Sequence, residues 1–126
     1  MPVIQIKSLA LDSDTAVSDM MQRVTSAFAS DVAIAEEHIS MTWEILPEQH
    51  YSLAGSVASP ATEQNFPLLV QLLIPDFHVQ TGIETMLTSL AKHLSDACRI
   101  DSRRIFIHAS LAASGQVYDA GEIMHW

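Results

Sequence analysis

The sequence predicts an α+β fold in which a β-α-β unit is used twice, giving a four-stranded mixed sheet with two helices on one face. One observation is that the order strand, helix, strand occurs in each half of the chain. The other is that similar residues recur at a nearly constant spacing. Pro2 and Pro67 each open a strand, and Ile34, Ile39 and Met41 are followed 66 positions later by Ile100, Ile105 and Ile107. We therefore expect one domain over residues 1–126, with pseudo-repeats at about 2–46 and 67–109.

The first half supplies a strand, a helix and a second strand. Residues Val3–Lys7 alternate in polarity, which is typical of a strand. Asp12-Ser13-Asp14 offers N-capping side chains for a helix whose apolar stripe has helical spacing. That stripe contains Val17, Met20, Met21, Val24 and Phe28. A loop around Ser30–Glu37 then leads to an alternating strand from Ile39 to Leu46, which Pro47 ends.

The second half repeats this order. Pro67–Ile74 is almost continuously apolar, as in a strand buried on both faces. Thr81-Gly82-Ile83-Glu84 matches a capping box for a second helix, and Ile105–Ala109 forms the closing strand. The stripe of the second helix contains Ile83, Met86, Leu87, Leu90 and Leu94. We expect an edge strand or a loop in the connection Glu48–Phe66, and a turn with short strands in the tail Gln116–Trp126.

The sheet face without helices is expected to be covered by other copies of the chain. Trp43 and the two-sided apolar strand Leu68–Ile74 indicate that this face is not simply exposed to water. The tail residues Met124 and Trp126 are apolar and are expected to pack against a neighbouring subunit. These features predict an oligomer.

Composition excludes several classes of function. The chain has 126 residues, with 6 Lys and Arg against 15 Asp and Glu, so its formal net charge is −9. This balance argues against a nucleic-acid partner and against binding to an anionic membrane. No apolar run is long enough to span a bilayer and no signal peptide is recognisable, so a cytoplasmic location is expected. Cys98, the one cysteine, is interpreted as a small core residue.

Neither a metal nor a cofactor is expected. The six histidines are not at the i,i+4 spacing of helical metal sites, and no His/Cys pair motif is present.

Pro2 is the residue with the clearest chemical potential. Initiator Met is normally removed when the next residue is small, and removal of Met1 would leave a secondary amine at the start of an apolar strand. Burial disfavours the charged form of an amine, and a neutral amine is what general-base catalysis requires. The alternative is structural, because Pro is also tolerated at the first residue of a strand.

Together, Pro2-Val3-Ile4-Gln5-Ile6, the doubled β-α-β order and Arg103-Arg104-Ile105-Phe106-Ile107-His108 resemble the tautomerase superfamily. That superfamily includes 4-oxalocrotonate tautomerase, 5-(carboxymethyl)-2-hydroxymuconate isomerase and macrophage migration inhibitory factor. The tail Gly115–Glu122 is similar to a bacterial branch of it. The resemblance implies a homotrimer whose subunits each contain a doubled β-α-β unit, and a small-molecule substrate that is a carbonyl or enol compound.

The resemblance also implies roles for individual residues. Pro2 matches the catalytic base, and Phe106 and His108 match an aromatic and a polar residue that face a neighbour's proline. Ile74, with Leu73, would form the pocket wall beside Pro2. His108 is the candidate donor to the enolate oxygen, and Tyr118 is a second donor. Arg104, with Arg103, is a candidate for binding an anionic substrate.

One stretch departs from the family pattern. Where the family places a basic residue before the second strand, this chain has Ala35-Glu36-Glu37-His38. An acidic stretch there disfavours the usual carboxylate substrates and leaves proline chemistry open.

Three hypotheses follow. The first is a cofactor-free tautomerase or isomerase that uses Pro2 for keto-enol proton transfer. The second is a catalytically silent trimer of the same fold that binds a small molecule or a protein. The third is an unrelated ferredoxin-like α+β domain, which would be a monomer or a dimer.

Overall fold

The computed structural model describes residues 1–11, 15–57 and 67–126 and shows the expected α+β architecture. The chain forms eight strands and two α-helices within these ranges, and the turns Glu36–His38 and Ser102–Arg104 are short 3-10 helices. In chain order the elements are β1 (Val3–Ser8), α1 (Val17–Val32), β2 (Ser40–Ile45), β3 (Ser52–Leu53), β4 (Ser56–Val57), β5 (Leu68–Pro75), α2 (Gln80–Cys98), β6 (Ile105–Ala112), β7 (Val117–Asp119) and β8 (Glu122–Met124).

The main sheet has four strands in the order β2-β1-β5-β6. Each β-α-β unit contributes two parallel strands, β1 with β2 and β5 with β6, and the two units meet through the antiparallel pair β1 and β5. The predicted doubled β-α-β sheet is therefore confirmed. Because β2 and β6 lie at its edges, both have backbone groups without a partner strand in this sheet.

The core lies between the sheet and the two helices. Alternate residues of β1 and β5 point toward the helices and are almost completely buried, among them Ile4, Ile6, Val70 and Leu72. The helices cover them with the predicted stripes, in which Phe28 of α1 and Leu90 of α2 are both 0% exposed. Cys98 is buried in the same core, and burial raises the pKa of its thiol to about 11. The thiol is therefore protonated at neutral pH, as expected for a core residue.

Both predicted helix starts need correction. Helix α2 begins at Gln80, with Val79 in the N-cap position, so Thr81 lies inside the helix and does not cap it. Glu84 accepts a hydrogen bond from the Gln80 side chain, at 3.3 Å, instead of closing a capping box. In α1 the N-cap is Ala16, which has no side-chain cap. The proposed capping residues Asp12-Ser13-Asp14 lie outside the described residues.

The two helices end in the same way. Ala33 and Arg99 adopt left-handed conformations, both with φ of 56°, and the residue after each donates its backbone N–H to the preceding helix. These donors are Ile34, which binds the carbonyl of Ala29, and Ile100, which binds that of Ser95. Each 3-10 turn then leads into an edge strand, so the two halves share a helix-to-strand connection.

Trp43 lies on the helix side of the sheet, and the prediction that it covers the opposite face is wrong. Its neighbour across the parallel pair is the buried Ile6, and its side chain packs against the core. The indole N–H donates to Ser8 Oγ at 3.0 Å, so the polar edge of the ring has a partner within the chain.

The two short hairpins lie where the sequence indicated turns or edge strands. Strands β3 and β4 pair across Ala54 and Gly55, and residues 58–66 of the same connection lie outside the described residues. The tail forms the hairpin β7–β8. Trp126 donates its indole N–H to Asp76 Oδ1 at 2.8 Å, so a contact within the chain already holds it, while 38% of the residue remains exposed.

No helix in the described ranges is both long and apolar enough to cross a membrane. Over the same ranges, His, Cys, Asp and Glu side chains do not come together in a group of three or more that could hold a metal ion.

Candidate active site

A cavity of about 560 Å³ opens at the end of the sheet where β1 begins. Its walls come from the chain start, the first 3-10 turn, the end of β5 and the tail hairpin. The lining residues are Met1, Val3, Glu37, His38, Ile39, Ser40, Leu73, Val117, Tyr118, Asp119 and Ala120.

Strand pairing brings the chain start to this place. Because β1 and β2 are parallel, the start of β1 lies beside the start of β2, and Ser40 N donates to the Pro2 carbonyl at 3.1 Å. Because β1 and β5 are antiparallel, the same point lies beside the end of β5, where Leu73 pairs with Val3. The first residues are therefore held from both sides, as a base with a defined position requires.

Pro2 is buried and is not itself among the residues that line the cavity, whereas the preceding Met1 is half-buried and lines it. The Pro2 nitrogen is bonded to Met1, so in this form it is an amide and is not basic. Removal of Met1 would convert it into a secondary amine and would vacate part of the cavity wall next to it. The geometry is therefore compatible with the role expected for Pro2.

The cavity is acidic. Glu37 and Asp119 both line it, and His38 Nε2 lies 3.7 Å from Glu37 Oε1. The Asp119 carboxylate also accepts the backbone N–H of Ala120, at 2.9 Å. All six Lys and Arg residues of the chain lie in the described ranges, and none of them lines the cavity.

Of the other two candidate residues on this side of the molecule, Tyr118 lies at the cavity and Ile74 does not. Tyr118 lines the cavity and is 73% exposed, so its ring and hydroxyl are accessible there. Ile74 is 0% exposed and belongs to the hydrophobic core, because side chains alternate along β5. Its neighbour Leu73 points to the other face and lines the cavity instead.

His108 and Phe106 lie elsewhere in the same chain. Both are exposed on β6, on the sheet face opposite the helices, and β6 is separated from β1 by β5. In register, Val3 is level with Leu73 and Leu73 with Ser110. His108 is therefore set back from Pro2 by about 10 Å along the strands and by about 10 Å across them. A single chain does not bring the two together.

The side chain of His108 is oriented by its neighbour on β5. Its Nδ1 lies 3.0 Å from Gln71 Oε1, and a carboxamide oxygen can only accept. The Nδ1 atom therefore carries the proton in this arrangement, and Nε2 of a neutral imidazole would be an acceptor. His108 can donate from Nε2 to an enolate only as the imidazolium, or after the Gln71 carboxamide has turned over.

Arg103 and Arg104 lie at the far end of the sheet from Pro2. They precede β6, whose first residue Ile105 pairs with Leu68 at the start of β5. The Arg103 guanidinium binds the Asp101 carboxylate at 2.7 Å and holds the pKa of that carboxyl down at about 2. Within one chain, neither arginine is positioned to bind a substrate beside Pro2.

Asp119, Val117 and Ser40 line the cavity but were not expected there from the sequence. For Asp119 and Val117 the signal is the tail hairpin, in which Ala120 and Gly121 occupy the two turn positions with φ of 51° and 88°. Positive φ at both positions is typical of a tight hairpin turn, and it fixes the direction in which β7 runs. The distant contact between this hairpin and the chain start has no local sequence pattern.

Comparison with solved structures identifies the fold. Native fused 4-OT has a TM-score of 0.82 and 13% identity, covering 97% of this chain and 95% of that one. N1, a member of the cis-3-chloroacrylic acid dehalogenase family, has a TM-score of 0.80 and 14% identity, covering 98% and 83%. Macrophage migration inhibitory factor from Oncomelania hupensis has a TM-score of 0.74 and 10% identity, covering 99% and 98%.

No family model matches the sequence, and no curated protein matches it. The structural matches extend over nearly the whole chain, and their low identities establish the fold alone. The chain has the tautomerase-superfamily fold, as its sequence led us to expect.

Proposed function

We propose that the chain, after loss of Met1, is a cofactor-free tautomerase that uses the Pro2 amine as its general base. In the ketonisation direction, the amine removes the proton of the enol hydroxyl and returns a proton to the carbon next to the new carbonyl. In the other direction it removes the proton from that carbon. Apart from the bonds to hydrogen, only the double bond moves, between C=C of the enol and C=O of the ketone. The oxidation level of the substrate is unchanged, so neither an oxidant nor a cofactor is needed.

The observation that carries this proposal is the position of the chain start. Pro2 is buried and held between β2 and β5, and Met1, whose removal frees the Pro2 nitrogen, lines a cavity large enough for a small molecule. The apolar wall formed by Val3, Ile39 and Leu73 would limit water at the reacting atoms. Exclusion of water strengthens each electrostatic contact with a developing enolate.

The proposed assembly is a homotrimer in which β6 of one subunit completes the site of the next. Fused 4-OT is itself described as a trimer in three of the matching structures. In this chain His108 and Phe106 are exposed and distant from Pro2, so they can act at the cavity only from a neighbouring subunit. His108 would then bind the enolate oxygen, and Phe106 and Tyr118 would contact the substrate. Arg104, which lies at the opposite end of the sheet from Pro2, has no role in this proposal.

The test compares ketonisation of a simple enol, such as the enol of phenylpyruvate methyl ester, by the wild type and by Pro2→Ala. We expect kcat/KM to fall at least about tenfold, because the variant loses the ring that fixes the nitrogen beside the cavity. Pro67→Ala is the matched control. Pro67 also precedes a strand of the central pair, but its nitrogen is an internal amide, so this change should leave the rate unaltered.

Equal rates in wild type and Pro2→Ala, with both above background, would contradict the proposal. So would a failure of the wild type to accelerate any enol, and the binding trimer would then be the better description of the chain. The cytoplasmic location expected from the sequence stays a prediction.

A further inference from the structure

We infer that the cavity selects a substrate that carries a cationic group, such as a quaternary ammonium, and disfavours carboxylates. This inference rests on the proposed function for the location of the reacting atoms, because both use the cavity at the chain start. It adds the charge class of the substrate and the residues that determine it, Glu37, Asp119 and Tyr118.

The first argument is the charge of the cavity wall. Glu37 and Asp119 enter it from different elements, one from the 3-10 turn before β2 and the other from the end of β7. Two carboxylates on separate walls attract a cation that lies between them and repel an anion there. Both are accessible to solvent, so the attraction is moderate and depends on salt.

The second argument is the location of the positive charges. Arg103 and Arg104 precede β6 at the opposite end of the sheet, and Lys7 pairs with Leu69 near that same end. Arg103 is already bound to Asp101. In this chain of net charge −9, His38 is the one basic side chain among the described residues that line the cavity, and the Pro2 amine is the other basic group beside it that could compensate a substrate carboxylate.

The third argument is the chemistry of the remaining wall. Tyr118 contributes an exposed aromatic ring, and Val3, Ile39 and Leu73 contribute apolar surface. An ammonium group with bulky methyl substituents gains from carboxylates at a distance, from an aromatic face and from apolar contact at the same time. A carboxylate could accept the Tyr118 hydroxyl, but it gains nothing from the two acids or from the apolar wall.

The experiment uses three enols that share one reacting centre. They are the choline ester of phenylpyruvate, its 3,3-dimethylbutyl ester and phenylpyruvate itself, which carry charges of +1, 0 and −1. The two esters have nearly the same shape, so the ratio of their kcat/KM values isolates charge. We expect this ratio to be about tenfold in favour of the choline ester at low salt, since each carboxylate contributes by charge attraction alone. Phenylpyruvate should be the poorest of the three.

Glu37→Gln combined with Asp119→Asn should bring the ester ratio close to one. Asparagine keeps the oxygen that accepts the Ala120 N–H, so the turn is retained. Glu44→Gln is the matched control, because Glu44 is an exposed acid on β2 that does not line the cavity, and it should leave the ratio unchanged. A ratio of one in the wild type, or a preference for phenylpyruvate, would overturn the inference while leaving Pro2 catalysis intact.

A binding measurement keeps the inference testable if no enol is turned over. Choline and 3,3-dimethylbutanol are titrated separately while the backbone amide signals of Val3, Ser40 and Val117 are followed by NMR. Tighter binding of choline at these amides would support the charge preference even though the proposed function had failed. Equal binding of the two, or binding of neither, would overturn it.

Discussion

Pro2 has a structural role at the start of β1 and, in the proposed function, a chemical one. As an ordinary strand opener it needs no backbone N–H, and its carbonyl is used to receive Ser40 N. Its nitrogen is available for chemistry only if nothing precedes it. The sequence could indicate this residue, because the identity of the first two residues decides whether Met1 is removed.

The other candidate residues depend on information that a residue's own neighbours do not contain. Whether Leu73 or Ile74 faces the cavity depends on the register of β5 against β1, and shifting it by one residue exchanges the two. The family resemblance indicated His108, and the basic pair before the last strand indicated Arg104. The sheet places both away from Pro2 in the same subunit. Asp119 reaches the cavity only because the tail hairpin folds back onto the chain start.

Among the elements, the two helices are joined by a polar cluster on their outer side. Asp31 of α1 accepts hydrogen bonds from Ser89 Oγ and from His93 Nε2, both at 2.7 Å. The cluster contains Ser, His and Asp but is not a catalytic triad, because the serine and histidine both bind the carboxylate instead of each other. It links the C-terminal end of helix α1 in one β-α-β unit to helix α2 of the other.

Asp31→Asn should lower the melting temperature at pH 7, because the hydrogen bond from Ser89, followed by that from His93, holds the pKa of Asp31 below its ordinary value of 3.8. A carboxyl with a lowered pKa stabilises the fold above its ordinary pKa and loses that contribution as the pH falls through its lowered value. The difference between wild type and variant should therefore narrow below about pH 4. Thermal melts across pH measure it, and Asp96→Asn, which alters an exposed acid of α2, is the control.

If the difference in melting temperature between wild type and Asp31→Asn stayed constant down to the lowest pH at which both fold, Asp31 would act by packing and not by charge. The Asp96→Asn melts show how the loss of an exposed acid of α2 changes the melting temperature when the contacts of Asp31 stay in place.

The failure of the predicted capping box in α2 illustrates a limit at this scale. The pattern Thr81 to Glu84 has the right residues, yet the helix starts at Gln80 because the extended Val79 already provides the carbonyl that accepts Ile83 N. The backbone conformation of the residues after the preceding strand decides which residue becomes the N-cap, so a capping pattern in the sequence can lie one or two residues away from the helix start. Apolar periodicity was the better guide, because both helical stripes do face the core.

At the scale of the whole molecule, the fold was predictable because the doubled order of elements restricts the topology. A helical crossover between two strands makes them parallel, which fixes the pairing within each unit. The order of elements leaves open only which strand of one unit pairs with which strand of the other. The site was less predictable. It joins the first residue to the last hairpin, and its proposed completion by His108 depends on a subunit that the sequence of one chain does not place.

Mixed trimers test that completion. Alone, His108→Ala and Pro2→Ala should each retain at most about a tenth of the wild-type rate, because every site in each variant lacks one of the two side chains. After the two are dissociated, mixed in equal amounts and reassembled, about a quarter of the sites should combine a native Pro2 with a neighbour's native His108. Ketonisation should recover to about that fraction of the wild-type rate, while light scattering checks that the particles have three times the 13.8 kDa chain mass. Trimers that mix without any recovery would show that His108 does not act across subunits.

The central claim is that the free amine of Pro2 carries the chemistry. Two preparations of the native sequence test it most directly, one that starts at Pro2 and one that keeps Met1 because methionine aminopeptidase was inhibited during expression. Intact mass identifies each preparation, and ketonisation of the same enol is then measured for both. We predict that only the chain starting at Pro2 accelerates the reaction, by at least about a hundredfold over the chain that keeps Met1, because an amide nitrogen cannot accept the proton. Equal acceleration by the two preparations would contradict the claim.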